Sequence, residues 1–276
     1  MAAAVNGMRE NLMVSKTLHL LSLLHRNPRE FYERIASSIG SRWQAAGTTP
    51  PSYRVCFPER GLSQLSEVLN ADISSILHDP ELDMLSSLVE GRARYTVAQG
   101  PFGAFHNGGS LLARVSYAIV RALRPESVVE TGVCYGVTSA HVLCALQHNQ
   151  RGHMHSIDLP PLGKNGDAFV GSLVPPEFLH RWTLHRGSTR RLLAPLVATL
   201  GQIDLFLHDS QHTLENMRAE FLTVWPALRP GGVLIADDVE SNSAFQELAR
   251  RNDTALALVF REPSKGSLFG VAVKNS

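Results

Sequence analysis

The chain has 276 residues, of which 44% are hydrophobic, 18% charged and 7% aromatic, and its formal net charge is +1. Such a composition excludes disordered, collagenous and coiled-coil chains and leaves room for one large domain, or a core with an appendage. Basic and acidic residues nearly cancel, so the surface is not built to neutralise a phosphate backbone and nucleic acid is not the expected partner.

From Met1 to about Arg114 the pattern is helical. Apolar residues recur at helical spacing in Val14, Leu18, Leu21 and Leu24, and again in Leu62, Leu65, Val68 and Leu69. The apolar stretch from Leu18 to Leu24 is broken by His19 and Ser22 and is far shorter than the roughly 20 residues of a membrane helix. Its flanking acids, Glu10 and Glu30, fit a surface helix rather than a secretion signal, so no membrane is expected. The stripe of Leu18, Leu21 and Leu24 is a candidate homodimer contact, with packing on its own core as the alternative. Breaks follow at Gly47–Ser52 and at Asp79-Pro80, where proline removes an N–H and restricts the residue before it. A glycine-rich stretch with Phe102, Phe105 and His106, candidates for an acceptor pocket, precedes a helix over Ser110–Leu123. Cys56, Cys134 and Cys144 lack metal-ligand spacing and read as reduced thiols in a cytoplasmic protein.

From Ser127 onward, short runs rich in Val, Ile and Leu alternate with helical segments. The predicted strands are Ser127–Val133, His153–Ile157, Trp182–His185, Ile203–Leu207, Gly232–Ala236, Ala255–Phe260 and Leu268–Val273. Helices fit at Thr138–Gln147, Arg190–Leu200, Thr213–Leu228 and Ser241–Arg251. This alternation implies a parallel sheet covered on both faces, with any ligand beyond the C-terminal strand ends. The segment Pro160–Pro176, with Gly163, Gly166 and Gly171, reads as a lid over that edge.

The strand ends carry the chemistry. The first closes in Glu130-Thr-Gly132-Val-Cys134-Tyr135-Gly136, a tight turn opening into a helix whose free N–H groups suit a ligand. Its Gly-x-x-x-Gly spacing is not the dinucleotide fingerprint. Asp158, about 20 residues past Gly136, stands where a carboxylate commonly accepts ribose hydroxyls, although an aspartate before Pro160-Pro161 can also simply start a turn. Two more strands end in Asp209-Ser-Gln-His212 and in Asp237-Asp238. Three carboxylates suit a hard cation such as Mg²⁺, and a histidine suits general-base work. Helix capping is the competing reading for these acids.

Together these features resemble the class I S-adenosylmethionine-dependent methyltransferases over about Ser110 to Lys274. The residues that carry the resemblance are Val129-Glu-Thr-Gly132…Gly136, Asp158, the strand within Leu228–Ala236 and the closing strand pair. The resemblance implies an α/β, Rossmann-like fold: a seven-stranded, mostly parallel sheet with helices on both faces (residues 110–276) and an N-terminal helical cap (residues 1–109). It also implies that Glu130, Gly132 and Gly136 cradle the methionine end, that Tyr135 belongs to the cofactor site, that Asp158 grips the ribose and that Gly187 and Ser188 lie beside the adenine. Family members often carry an acid near Ser188 that this chain lacks. The Asp209…His212 and Asp237-Asp238 pattern looks like a subgroup that includes Mg²⁺-dependent O-methyltransferases of natural-product pathways. There Asp209, Asp237 and Asp238 would hold the metal, with Asp209 also at the cofactor, and His212 would take the hydroxyl proton. Those enzymes often have glutamate where this chain has Asp237. The expected acceptor is a small molecule; a metal-independent N- or O-methyltransferase and a non-catalytic scaffold are the alternatives.

Overall fold

The computed structural model describes residues 16–35, 51–102, 109–162 and 166–276, and the short β-branched runs of the second half are its strands. They are β1 (Ser127–Thr131), β2 (His153–Asp158), β3 (Trp182–Arg186), β4 (Ile203–His208), β5 (Leu228–Ala236), β6 (Thr254–Arg261) and β7 (Leu268–Lys274). The sheet order is β3-β2-β1-β4-β5-β7-β6; β7 runs antiparallel to both neighbours and the other pairs are parallel. Between β1 and β4 the chain reverses its direction of travel across the sheet, which opens a crevice beyond the strand ends.

Strand alternation divides the core. Val128, Leu205, Leu207, Val233 and Ile235 face one hydrophobic cluster, while Val129, Phe206, Leu234 and Ala236 face the other. Helices α6 (Ser110–Leu123) and α7 (Val137–His148) cover the first face. The second is covered by α9 (Thr189–Leu200), α10 (Leu214–Val224) and α11 (Ala244–Ala249). The helices α3 (Pro58–Leu69), α4 (Ile73–Leu77) and α5 (Pro80–Gln99) send Leu65, Ile73, Leu82, Leu85 and Val89 into the first cluster. Before them lie α1 (16–26) and α2 (28–35).

Several boundaries differ from the sequence reading. β1 stops at Thr131 because Gly132 turns the chain with φ +82°, where its N–H reaches the Ile157 carbonyl. Helix α10 ends at Val224, since Pro226 lacks the N–H a helix would need and Trp225–Ala227 tighten into a 3₁₀ turn. β5 begins at Leu228, and its irregular start lets Leu228 pair with Ile203 and Val233 with Leu205. The segment read as a lid holds α8 (Gly166–Phe169) and a turn whose Val170, Leu173 and Val174 are buried. Gly171 and Leu173 donate to the Cys134 and Tyr135 carbonyls, so residues 166–174 buttress the glycine turn rather than cover the site. Gly163, Phe105 and His106 lie outside the described residues.

Leu18 and Leu21 are 61% and 54% exposed on α1, while Leu23 is buried. Among the described residues no helix is long and apolar enough to cross a membrane. All three cysteines are free.

The closing hairpin secures the helix that leads into β1. Glu262, only 1% exposed, accepts from the Leu111 and Leu112 N–H groups at 3.0 and 3.1 Å, and so caps α6. The N-cap Gly109 makes no side-chain cap of its own, and a Cβ there would lie 2.1 Å from Glu262 Oε2. Glu262→Ala leaves those buried donors unpaired and is expected to cost about 1–3 kcal/mol of stability, read from urea denaturation. An unchanged midpoint would show that water replaces the cap.

Candidate functional site

The register explains why distant acids converge. Thr131 pairs with Ile157 and with His208, and His208 pairs with Ala236, so these four residues form one row across β2, β1, β4 and β5. The residues that follow them are Asp158, Gly132, Asp209 and Asp237, and all four lie at the same edge of the sheet. Gly132 is needed where β1 and β4 meet, because a Cβ there would lie 2.0 Å from the Asp209 carbonyl oxygen. An open cavity of about 1110 Å³ occupies this edge. Gly132, Asp158, Gly187, Ser188, Asp209, His212, Asp237 and Asp238 all line it.

Asp158 shapes one end. Its Oδ2 accepts from both the Val133 and the Cys134 N–H, at 2.7 and 3.0 Å, which fixes the glycine turn and leaves Oδ1 unneeded for it. Burial raises its pKa, with Asp209 adding to the rise, against the lowering effect of those two N–H groups. Cys134 lines the cavity, but burial pushes its thiol pKa up, so it is no nucleophile at neutral pH.

The other end holds His212 between two carboxylates. A carboxylate can only accept, so Nδ1 donates to Asp238 Oδ2 at 2.9 Å, while Nε2 stands 3.6 Å from Asp209 Oδ1 and has no hydrogen-bond partner. Ser241 and Asn242 fix the His212 carbonyl. Burial opposes a charge on the ring, but Asp209 and Asp238 outweigh it and raise the pKa to about 10. Asp237, 3% exposed, is pushed up to about 8 by burial and by the charges of Asp209 and Asp238. Thr213, not Asp209, caps α10. Beneath this loop the buried Glu220 accepts from Thr131 Oγ1 at 2.6 Å and from Ser210 Oγ at 2.8 Å, and bonds His208 Nδ1 at 2.7 Å, tying β1, β4 and α10 together.

Three of the expected cofactor residues sit elsewhere. Glu130 is 1% exposed and lies beneath the turn, where it accepts from Ser139 Oγ and Ser156 Oγ. Tyr135 is fully buried, and its hydroxyl bridges the Phe102 backbone. Gly136 begins α7 with φ +89° and is outside the cavity lining. Phe102 does line the cavity, packed edge-on against Tyr135.

Burial holds the Glu130 pKa at about 8, against the lowering effect of its two serine donors. The folded chain therefore keeps a proton that the unfolded chain has released. The stability this group gives is complete below its ordinary pKa of 4.5 and is lost as pH rises to about 8. Glu130→Gln is expected to remove that part of the loss, so its denaturation midpoint falls less between pH 5 and pH 9 than that of the parent. Parallel decline in both proteins would contradict this assignment.

The sequence reading missed Lys16, Tyr32, Glu33, Arg34 and Lys265, which also line the cavity. It also placed Glu30 on a surface helix, whereas Glu30 is 4% exposed and bonded to Arg34 and Arg186. Among the described residues no group of three or more His, Cys, Asp and Glu side chains is arranged to hold a metal ion.

Residues 129–239 match the family described as a methyltransferase domain, and that segment contains the glycine turn, Asp158 and the Asp209–Asp238 cluster. That match spans less than half of the chain. The chain shares its fold with solved structures at low identity. An O-methyltransferase from Bacillus cereus in complex with SAH is 17% identical, with 68% of this chain and 91% of that chain covered and a TM-score of 0.56. The SAH-bound methyltransferase PaMTH1 of Podospora anserina is 14% identical over 82% of this chain and 100% of its own, with a TM-score of 0.53. TomG, an O-methyltransferase of Streptomyces achromogenes involved in tomaymycin synthesis and solved with SAM, is 14% identical over 80% of this chain and 100% of its own, with a TM-score of 0.51. At such identities the likeness is one of fold. No curated protein matches the chain.

Proposed function

We propose that the methyltransferase moves the methyl group of S-adenosylmethionine to a hydroxyl oxygen of a small molecule, such as a natural-product or sugar hydroxyl. Residues 110–276 carry the reaction and the N-terminal helices cap it. One observation carries the reading: a single cavity joins Asp158 and Ser188 at one end to Asp209, His212 and Asp238 at the other. A cofactor anchored at the first end would present its sulfonium toward the second.

In the reaction the S–CH₃ bond breaks as the O–CH₃ bond forms, and the acceptor's proton leaves to His212 Nε2. Asp238 orients the ring through Nδ1, so Nε2 is the nitrogen left to accept. The imidazole becomes a base once the charges of Asp209 and Asp238 are offset. Holding acceptor and methyl group in line contributes about 7–11 kcal/mol in favourable intramolecular cases.

The buried Asp237, with the half-buried Asp209 and Asp238 whose charges repel it, fits a divalent cation such as Mg²⁺ in donor chemistry and charge. Bound there, such an ion would polarise vicinal oxygens of the acceptor and lower a hydroxyl pKa. A metal-independent transfer to N or O is the second reading, favoured by Asp209 and Asp238 already facing His212.

Turnover of vicinal-diol acceptors with S-adenosylmethionine, with EDTA and then with excess Mg²⁺, separates the readings. Loss with chelator and recovery with Mg²⁺ supports the metal; indifference supports transfer without it. Cofactor binding with no turnover of any acceptor would favour a scaffold.

A further inference from the structure

Helix α5 spans 20 residues and carries apolar side chains on two separate faces. Leu82, Leu85 and Val89 are buried in the first cluster. On the outer side Met84, Leu88 and Tyr95 are 72%, 43% and 71% exposed, and the exposed Gly91 lies among them. Their spacing sets these four residues in one stripe along the helix. A helix that is apolar on more than one face is a helix covered on more than one face. Gly91 is an independent sign. Glycine weakens a helix interior relative to alanine, yet a Cβ at Gly91 would meet nothing within 4 Å, so its own chain gives no reason for it. The close approach of another helix does.

The stripe is complementary to itself. Met84 and Leu88 are four residues apart, as are Gly91 and Tyr95, so a reversed copy puts Tyr95 opposite Met84 and Gly91 opposite Leu88. Charge follows the same reversal. Asp83 and Arg94 fall about 20° apart on one flank of the stripe, and antiparallel packing brings each within about one helical turn of the other. Asp83 bonds Arg114 Nη1 at 2.7 Å, yet its side chain stays 63% exposed and keeps lone pairs for a second cation. The stripe on α1 lacks such pairing: residues 16–26 hold Lys16 and Arg26 and no acid, so reversal there sets like charges together. We propose that α5 joins two copies of this chain in an antiparallel dimer, with Leu88 of each copy seated on Gly91 of the other and Asp83 facing Arg94. A contact built on one helix pair about 30 Å long is small, so dissociation in the roughly micromolar range follows.

The test is sedimentation velocity of the full-length chain from about 1 to about 100 µM, over which monomer should give way to dimer. Gly91→Leu puts bulk at the crossing while favouring the helix. It should weaken association by at least about tenfold, with the melting temperature of the dilute protein unchanged or raised. Arg94→Glu and Asp83→Arg, each folded by circular dichroism, should each be monomeric alone, because like charges then meet across the contact. An equimolar mixture of the two should recover the dimer, because every flank contact between them again joins opposite charges. A defect within one copy would not be mended by mixing. A parent protein that stays monomeric throughout would overturn the proposal. So would a dimer of undiminished affinity in Gly91→Leu and Arg94→Glu, or a mixture that remains monomeric.

Discussion

His212→Ala is expected to lower kcat by about 10²–10⁴-fold, the usual contribution of a general base, while the affinity for S-adenosylmethionine stays within about threefold. The separation follows from position. His212 lies at the acid end of the cavity, held by Asp238 at 2.9 Å, and no part of the glycine turn depends on it. Single-turnover kinetics and calorimetry on the same preparation read the two quantities. Equal losses of turnover and cofactor affinity would contradict the assigned role and make His212 a binding residue.

Asp158→Ala is expected to act in the opposite way, removing cofactor binding before chemistry is reached. Two contributions add. The variant loses the acceptor for the Val133 and Cys134 N–H groups, which leaves two donors of the turn unpaired. It also loses the carboxylate that would take the ribose hydroxyls, and hydrogen bonds to charged groups are worth about 1.5–3 kcal/mol each. Affinity for S-adenosylmethionine should fall by at least 100-fold, with a lower melting temperature. Asp158→Asn keeps an oxygen for the turn and should restore much of the stability but little of the affinity. Full affinity in either variant would remove Asp158 from the nucleoside site.

Much of this arrangement was legible in the sequence. Val- and Ile-rich runs ending in Gly or Asp marked the strands, and in a parallel sheet with matched register those endings fall on one edge. That is why Gly132, Asp158, Asp209 and Asp237 could be grouped before their positions were known. Side-chain direction was less legible. Glu130 lies one pleat before the turn and points under it, and the signal was Ser139 and Ser156, the donors that a buried carboxyl needs. The contribution of α2 was not legible at all. Glu30 meets Arg186 and Glu33 meets Ser188 across 156 and 155 residues of sequence, and no local periodicity encodes such a contact. Lys265 came from the β6–β7 turn by the same kind of long-range closure.

The most direct test of the central claim is calorimetry of S-adenosylmethionine into the purified protein, followed by the same titration of Asp158→Ala. Micromolar binding to the parent chain, lost in the variant, is the expected result. No binding to a folded parent protein would contradict the methyl-transfer reading.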